Sequence, residues 1–260
     1  GADADLALVL GDPASVRGVA RLDDMVARRA AGEPLQYVVG RWGFRTLDVM
    51  VDGRVLIPRP ETEGVVDHVL AELDRRTATG ADDDGPVDRA VVVDLGCGSG
   101  AIGLAVATER RGTEVHLVDV SPDAVAVTRA NLAGLGVAGA GVSVHEGSWF
   151  EPLPTDLAGR VDVVVSNPPY VAADDDLPPE VAEWEPTGAL IAGPEGTEAI
   201  VAVVEGALLW LAPGGLLVVE IGETQGLAVT DMAVAAGYVE VEVRPDLLGR
   251  DRALVARAPG

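Results

Sequence analysis

The tetrapeptide Asn167-Pro168-Pro169-Tyr170 combines residue types that together can hold a flat group bearing an NH2. It follows the β-branched run 161–166, which predicts a buried strand. The two prolines fix their own φ angles and lack N–H groups, so the backbone after Asn167 is stiff and its carbonyls stay free to accept. An amide, free carbonyls and an aromatic ring would then meet at the carboxyl end of a strand. The tetrapeptide alone also fits an ordinary proline-rich turn with an Asn cap.

A glycine loop, Gly96-Cys97-Gly98-Ser99-Gly100, lies between an apolar run and an apolar stretch that predicts a helix. Its glycines let the backbone approach a ligand closely, and the helix would offer N–H groups at its start. Asp119 ends the next predicted strand, about 20 residues beyond the loop, where a carboxylate can accept both ribose hydroxyls of an adenosine. Dinucleotide enzymes use the same device, and this loop loosely satisfies their glycine pattern.

Two features favour S-adenosylmethionine over a dinucleotide as the cofactor. Asp94 lies two residues before the first glycine, where its charge disfavours a pyrophosphate but suits a sulfonium cofactor with an α-amino group. The tetrapeptide at 167–170 is a feature that hydride transfer does not need. Cys97 occupies a variable position of the loop, and we interpret it as a residue that fills space without a chemical role.

Strands alternate with helices from residue 90 onward, which predicts an α/β fold with a mostly parallel sheet covered by helices on both faces. Seven strands are predicted, at 90–95, 114–118, 142–145, 161–166, 216–221, 238–243 and 253–257, with helices at 100–110, 122–134, 195–211 and 224–236. We expect three units: a helical segment at 1–40, a β-hairpin linker at 41–58 that turns at Asp52-Gly53, and the main domain at 59–260. Pro60 is expected to open a helix, and 78–88 is expected to be a solvated loop.

Composition restricts the partners. The chain has 260 residues, 42 acidic against 19 basic side chains, no Lys, and a net charge of −23. Such a surface repels polyphosphate, so we expect no stable nucleic-acid binding. One cysteine excludes an internal disulfide and fits a cytoplasmic location. His68, His116 and His145 are scattered, so we expect no metal. The apolar stretch 199–221 is interpreted as a helix, a turn at Pro213-Gly214-Gly215 and a strand, so we expect no membrane span and no leader.

Several motifs in order make the chain resemble a known family from about residue 28 to 256. They are Gly32–Tyr37, Leu56–Glu63, Asp94–Gly100, Ser166–Tyr170, Glu185-Pro186 with Ala189-Leu190, and Glu220–Gly222 with Gln225. Together they resemble the HemK/PrmC protein-(glutamine-N5) methyltransferases. The tetrapeptide is shared with amino methyltransferases that act on adenine, cytosine and guanine, whereas the stretches around Pro34 and Pro60 are narrower signals.

The resemblance implies the class I methyltransferase (Rossmann-like) fold, S-adenosylmethionine as the methyl donor, and the glutamine of the Gly-Gly-Gln motif of peptide chain release factors as acceptor. It implies that residues 96–100 hold the cofactor and that Asp119 holds its ribose. Trp149 would line the adenine pocket. Asn167 would touch cofactor and substrate, and the tetrapeptide would bind the substrate glutamine.

The resemblance also leaves choices open. Family members usually carry a longer N-terminal helical domain, so a short paralogue that methylates another protein is an alternative. Arg59 and Glu61 are either structural or border the substrate channel. Glu185-Pro186 is a candidate for closing the site, although the sequence gives no mechanism for it. We expect the chain to act as a monomer.

An amide nitrogen is a poor nucleophile, because its lone pair is delocalised into the carbonyl. Our hypothesis is that the Asn167 side-chain oxygen and the Pro168 carbonyl accept the two amide hydrogens, and that Tyr170 covers the flat face. Two other functions remain open: methylation of a nucleic-acid base, and a non-catalytic protein that only binds the cofactor. A methyl-transfer assay separates them.

Overall fold

The structure is a computed structural model that describes residues 15–79 and 89–260. Its strands are β1 (Arg41–Phe44), β2 (Leu47–Met50), β3 (Val91–Leu95), β4 (Glu114–Asp119), β5 (Val142–Glu146), β6 (Val161–Ser166), β7 (Val171–Ala172), β8 (Ile191–Gly193), β9 (Leu211–Glu220), β10 (Val239–Pro245) and β11 (Asp251–Arg257). Its helices are α1 (Val16–Ala30), α2 (Leu35–Val39), α3 (Thr62–Thr79), α4 (Ala101–Glu109), α5 (Pro122–Gly134), α6 (Pro179–Ala182), α7 (Glu198–Ala207) and α8 (Gly226–Ala236), with short 3-10 turns at Gly136–Gly139, Thr155–Leu157 and Thr187–Ala189.

The main sheet has seven strands in the order β10-β11-β9-β6-β3-β4-β5. Neighbours from β9 to β5 are parallel, whereas β11 is antiparallel to both β9 and β10. The predicted mostly parallel α/β sheet is therefore confirmed. Strand order reverses at β3, because β4 follows on one side and β6 lies on the other. Ligands of such sheets bind in the crevice beyond the carboxyl ends of the strands at this reversal.

Apolar side chains fill a core on each face of the sheet. One face packs Val92, Val115 and Val163 with α3 and α4, and the other packs Val93 and Val164 with α7 and α8. Strands buried on both faces need continuous apolar runs, which is why β3 and β6 are so rich in Val. Each fully buried side chain of this size stabilises the fold by about 1.5–3 kcal/mol.

The N-terminal helical prediction is confirmed in part. The Ser15 side chain accepts a hydrogen bond from the Gly18 N–H at 3.0 Å and caps α1, and Gly32, with φ +98°, follows its end. The short helix α2 completes the segment, so the chain breaks between residues 30 and 35 rather than continuing as one helix. Residues 1–14 and 80–88 lie outside the described residues, and so does most of the loop predicted at 78–88. The predicted helix opening at Pro60 begins two residues later, at Thr62.

The predicted hairpin turn at Asp52-Gly53 is wrong. Strands β1 and β2 pair across Phe44 and Leu47, so the chain reverses at Arg45 and Thr46. Arg45 adopts φ 51°, and its backbone N–H donates to Glu63 at 2.8 Å while its guanidinium pairs with Glu109 at 2.6 Å. These contacts to α3 and α4 stabilise a turn that no local signal marks. Asp52 does form a turn, but the predicted strand through Val55 and Ile57 does not form.

The apolar stretch 199–221 contains a helix and a strand, as predicted, but the turn lies elsewhere. Helix α7 ends at Ala207 and β9 already begins at Leu211, so Pro213-Gly214-Gly215 lies within the strand. Pairing of β9 with β6 shifts register between Val161 and Val163, which accommodates the glycines. Within residues 15–79 and 89–260, no helix combines the length and the hydropathy needed to cross a bilayer.

Candidate active site

The glycine loop joins β3 to α4 at the carboxyl edge of the sheet. Gly96, Gly98 and Gly100 have φ angles of +67°, +56° and +82°, a region that other residues rarely adopt. A Cβ placed on Gly98 would meet nothing within 4 Å, so the loop faces open space there. Half-buried glycine backbone at Gly96 and Gly98, with unfilled space beside it, is what a closely bound cofactor needs.

Two side chains of α5 brace this loop from behind. The Thr128 hydroxyl donates to the Gly98 carbonyl at 2.7 Å, and the Asn131 amide donates to the Ser99 carbonyl at 2.9 Å. Cys97 is buried, with its thiol 3.6 Å from the Thr128 hydroxyl, and burial raises the pKa of that thiol. This placement agrees with Cys97 as a packing residue rather than a nucleophile.

Asp119 lies at the end of β4, beside the loop. Its two carboxylate oxygens accept the N–H groups of Gly98 at 2.8 Å and Ser121 at 2.9 Å. Burial raises the pKa of this carboxyl, and the backbone hydrogen bonds oppose that rise. Each oxygen keeps lone-pair capacity for a further donor, so the two hydroxyls of a ribose fit this carboxylate.

Asp94 is fully buried under the start of α4. One oxygen accepts the Gly103 N–H at 2.9 Å, whereas Oδ1 has no hydrogen-bond partner among the described residues. Burial raises the pKa of this carboxyl to about 7. A buried carboxyl oxygen without a donor is costly, and a cationic group of a cofactor would relieve that cost.

Trp149 lies against the glycine loop. Its Cζ3 atom is 3.9 Å from the position that a Cβ on Gly96 would take. The residue holds φ 45°, an uncommon angle for a bulky side chain, and the ring packs on the apolar core behind β6. An aromatic wall beside the cofactor loop suits a flat heterocycle such as adenine.

The tetrapeptide starts where β6 ends. Ser166 pairs with Leu95 in the parallel register, and its hydroxyl donates to the Leu95 carbonyl at 2.7 Å. Asn167 therefore leaves the sheet directly beside Gly96. Pro168 is buried, and its carbonyl accepts no hydrogen bond from any described residue. The loop that would hold the donor and the tetrapeptide that would hold the acceptor thus begin side by side.

A buried polar chain lies beneath the tetrapeptide. The Asn167 Nδ2 is 3.4 Å from the Thr62 hydroxyl, which donates to Glu220 at 2.7 Å. The Tyr170 hydroxyl donates to the other oxygen of Glu220 at 3.3 Å. Glu220 is 1% exposed, and burial raises the pKa of its carboxyl. Burial and proximity to Glu220 also raise the pKa of Tyr170 to about 12, so its phenol keeps its proton at neutral pH.

Gln225 holds the far end of the tetrapeptide. Its Nε2 donates to the carbonyls of Tyr170 and Gly196, both at 3.0 Å, and its oxygen accepts the Gly222 N–H at 2.8 Å. One side chain thus joins the segment after β6, the segment after β8 and the end of β9. This cross-link restricts the path of the backbone on which the acceptor would lie.

Arg59, Glu61 and Glu185, whose roles the sequence left open, form contacts that tie separate segments together in this fold. Glu185 is buried, accepts the Ile57 N–H at 3.1 Å and pairs with the Arg59 guanidinium. Glu61 pairs with Arg250 at 3.0 Å. Both ties fix the segment that leads into Thr62.

Sequence reasoning missed Thr62, Thr128 and Asn131 as supports, and it gave Glu220 and Gln225 no role. A polar residue at the end of a buried apolar run was the available signal for Glu220. Its partners lie 158 and 50 residues away along the chain, so only the fold brings them together.

Every cofactor residue predicted from the sequence lies at the carboxyl edge of the sheet. The groups that these residues offer fit S-adenosylmethionine. Asp119 offers acceptors to ribose hydroxyls, Trp149 offers an aromatic wall, and the orphaned oxygen of Asp94 suits a cation. In the part of the chain that the structure describes, no cluster of three or more His, Cys, Asp or Glu side chains has a metal-binding arrangement.

Comparison with known proteins gives a consistent result. Residues 83–183 match the family described as Methyltransferase small domain, and residues 2–40 match the PrmC N-terminal domain. A release factor glutamine methyltransferase of Cereibacter sphaeroides is 41% identical, with 98% of this chain and 86% of that protein aligned. Proteins of the same name from Xylella fastidiosa and Moorella thermoacetica are each 42% identical, over 91% and 89% of this chain and 80% and 77% of their own lengths.

Solved structures are similar in fold. A methyltransferase from Pyrococcus furiosus superposes with a TM-score of 0.55, 17% identity, and coverage of 93% of this chain and 98% of that chain. The catalytic domain of hMettl16 gives a TM-score of 0.59 at 17% identity, over 91% and 82% of the two chains. These values establish the class I methyltransferase fold. They do not identify the methyl acceptor.

Proposed function

This chain belongs to the family of release factor glutamine methyltransferases, and we propose that it methylates the side-chain nitrogen N5 of a glutamine in a peptide chain release factor at the tetrapeptide 167–170. The enzyme class and S-adenosylmethionine as methyl donor follow from the family and the fold. The residues that act are the part that we propose.

One observation carries the assignment of these residues. Asn167 leaves β6 beside Gly96, because Ser166 and Leu95 are paired neighbours in the sheet. A methyl group held at the glycine loop and an amide held at the tetrapeptide are therefore neighbours, as direct transfer requires. Holding the two reactants side by side in this way removes a large part of the activation free energy of a two-substrate reaction.

The acceptor amide would bind through its two hydrogens. The Asn167 oxygen and the free Pro168 carbonyl accept one hydrogen each, which orients the nitrogen lone pair toward the methyl group and favours a pyramidal nitrogen. Tyr170 covers the flat face of the amide. When bound, S-adenosylmethionine supplies an electrophilic methyl group on a sulfonium.

Charge then develops where the protein has acceptors. Positive charge grows on the amide nitrogen during transfer, and the two oxygens that accept its hydrogens stabilise that charge. The C–N bond would form as the bond from the methyl carbon to sulfur breaks, with that electron pair left on sulfur. The nitrogen then releases one proton to solvent, so no strong base needs to act beforehand. Asn167, Pro168 and Tyr170 are in this account the catalytic residues.

A nucleic-acid base is the competing acceptor, because its exocyclic NH2 is also flat. The net charge of −23 disfavours it, since binding a phosphate backbone needs a basic surface. The expectations of a monomer, of no metal and of a cytoplasmic location stay predictions.

The experiment is methyl transfer from labelled S-adenosylmethionine to three acceptors in parallel: a release factor with its Gly-Gly-Gln motif, duplex DNA and structured RNA. We expect label in the release factor only. A release factor in which Ala replaces the motif glutamine serves as the matched control and should stay unlabelled. Label in DNA or RNA alone would overturn the proposal.

A further inference from the structure

Glu220 is a buried carboxylate whose two oxygens accept from two hydroxyls. The Thr62 hydroxyl contacts one oxygen at 2.7 Å, and the Tyr170 hydroxyl contacts the other at 3.3 Å. Other buried carboxylates in this chain, such as Glu72 and Glu185, are instead paired with guanidinium groups. Glu220 therefore differs from them in what it binds, and both of its partners lead to the acceptor loop.

The direction of the hydrogen bonds in this chain follows from what each group can donate. A hydroxyl has one proton, and a carboxylate can only accept. The Thr62 hydroxyl therefore donates its one proton to Glu220, and its oxygen can only accept a hydrogen bond from Asn167. The Asn167 amide must then turn its NH2 toward Thr62, where the Nδ2 lies at 3.4 Å, and its oxygen away from Thr62.

This orientation of the Asn167 amide decides whether the site can bind the acceptor glutamine. The acceptor glutamine presents N–H donors, so Asn167 must face it with oxygen. A flipped Asn167 would place NH2 against NH2 and repel the acceptor. Nothing in the shape of an amide prevents the flip, because oxygen and NH2 are nearly the same size. The choice must come from the hydrogen bonds behind it.

We propose that Glu220 is a positioning residue that, through Thr62, fixes the orientation of the Asn167 amide and, through the Tyr170 hydroxyl, the rotation of the aromatic ring. The proposal rests on the proposed function, because it concerns the same acceptor site. Glu220 itself touches neither acceptor nor cofactor in this account.

The kinetic test uses four variants. Thr62→Val removes the hydroxyl at constant shape, and Glu220→Gln replaces an acceptor-only group with one that can also donate. Both should lower kcat by roughly tenfold or more, because the Asn167 amide loses the contact that fixes its orientation, and both should leave the Kd for S-adenosylmethionine unchanged. Thr62→Ser keeps the hydroxyl and should retain kcat. Glu72→Gln is the matched control, because it alters a carboxylate of similar burial at the opposite edge of the sheet and should also retain kcat.

Combining Thr62→Val with Glu220→Gln sharpens the result. Both changes act through the same amide, so the double variant should be no slower than the slower single variant, as for residues that act as a unit. Losses that multiply, or a Thr62→Val enzyme with normal kcat, would overturn the proposal. If Glu220→Gln does not fold, the comparison of Val with Ser at position 62 decides the question.

A second readout is independent of the acceptor. The side-chain 15N–1H2 signals of Asn167, assigned with the Asn167→Ala variant, should shift in Thr62→Val and Glu220→Gln but not in Glu72→Gln. Unshifted signals would overturn the inference even if glutamine methylation is confirmed. Shifted signals in a protein that methylates no glutamine would instead contradict the proposed function.

Discussion

Glu72 and Glu220 are buried to nearly the same extent, at 4% and 1% exposure, yet they lie at opposite edges of the sheet in opposite surroundings. Glu72, on α3 at the amino edge, accepts from the guanidinium groups of Arg75, Arg76 and Arg257. Its pKa is lowered to about 2: burial opposes the shift, and these hydrogen bonds outweigh it. Glu220, at the carboxyl edge, accepts from hydroxyls, and burial raises its pKa.

Two other carboxyls at the carboxyl edge, those of Asp94 and Asp119, behave like Glu220. Burial raises the pKa of both Asp94 and Asp119, and both accept backbone N–H groups rather than cations. At the amino edge, paired charges stabilise the fold. At the carboxyl edge, Asp94, Asp119 and Glu220 accept from N–H and hydroxyl groups instead of a guanidinium, which leaves them able to bind a cationic cofactor and direct an amide. Glu72 and these three carboxyls therefore differ in their partners and in the direction of their pKa shifts.

The largest effect should come from removing the acceptor contact at the carboxyl edge. Asn167→Ala should lower kcat roughly 100- to 1,000-fold, the usual loss when one group that stabilises developing charge is removed. The Kd for S-adenosylmethionine should stay measurable in titration calorimetry. Near-normal turnover in this variant would contradict the assignment of Asn167.

A smaller effect is expected at the ribose. Asp119→Ala should weaken binding of S-adenosylmethionine about 10- to 100-fold, because hydrogen bonds to a charged group are worth about 1.5–3 kcal/mol each. Titration calorimetry checks this value. Asp119→Asn, which keeps an acceptor oxygen, is the matched control and should lose less. Equal affinity in the Ala variant and the unmodified protein would exclude Asp119 as a ribose ligand.

Asp94 predicts a pH dependence of stability that is characteristic of the carboxyl edge. Its pKa is about 7 in the folded protein, against an ordinary value of 3.8. Between these two pH values the unfolded chain has lost the proton and the folded chain keeps it. The free energy of unfolding therefore falls as pH rises through this window, by at most about 1.4 kcal/mol per pH unit.

Asp94→Asn removes this titration. In urea unfolding without cofactor at pH 4 to 8, the unmodified protein should lose stability relative to the Asn variant as pH rises, with no further change above about pH 7. A difference between the two proteins that is independent of pH would show that Asp94 does not titrate in this range.

At the amino edge, the free energy of unfolding should depend on pH in the opposite direction, and turnover should not change. The Glu72 pKa is about 2, below its ordinary 4.5, so its contribution to stability is present above pH 4.5 and is lost as pH falls toward 2. Glu72→Gln should lower the free energy of unfolding by about 1–3 kcal/mol at neutral pH and leave kcat unchanged. Thermal unfolding and steady-state rates check both statements. A loss of kcat in the folded variant would break the contrast between the edges.

The sequence predicts the fold well, because local signals mark the strands and helices that place the proposed site residues at one edge of the sheet. Strand β6 and helix α5 have the predicted bounds, because a valine-rich run and a Ser cap followed by Pro mark them locally. The hairpin turn at Arg45 escaped prediction, because Glu63 and Glu109 stabilise it from helices far along the chain. The support that Thr62 and Glu220 give to Asn167 escaped for the same reason.

Tandem mass spectrometry of a release factor, after incubation with the enzyme and S-adenosylmethionine, tests the central claim most directly. We predict one added methyl group on the side-chain nitrogen of the glutamine in the Gly-Gly-Gln motif, and its loss when Asn167→Ala replaces the unmodified enzyme. A methyl group on any other atom, or the same yield from the Asn167→Ala enzyme, would contradict the account.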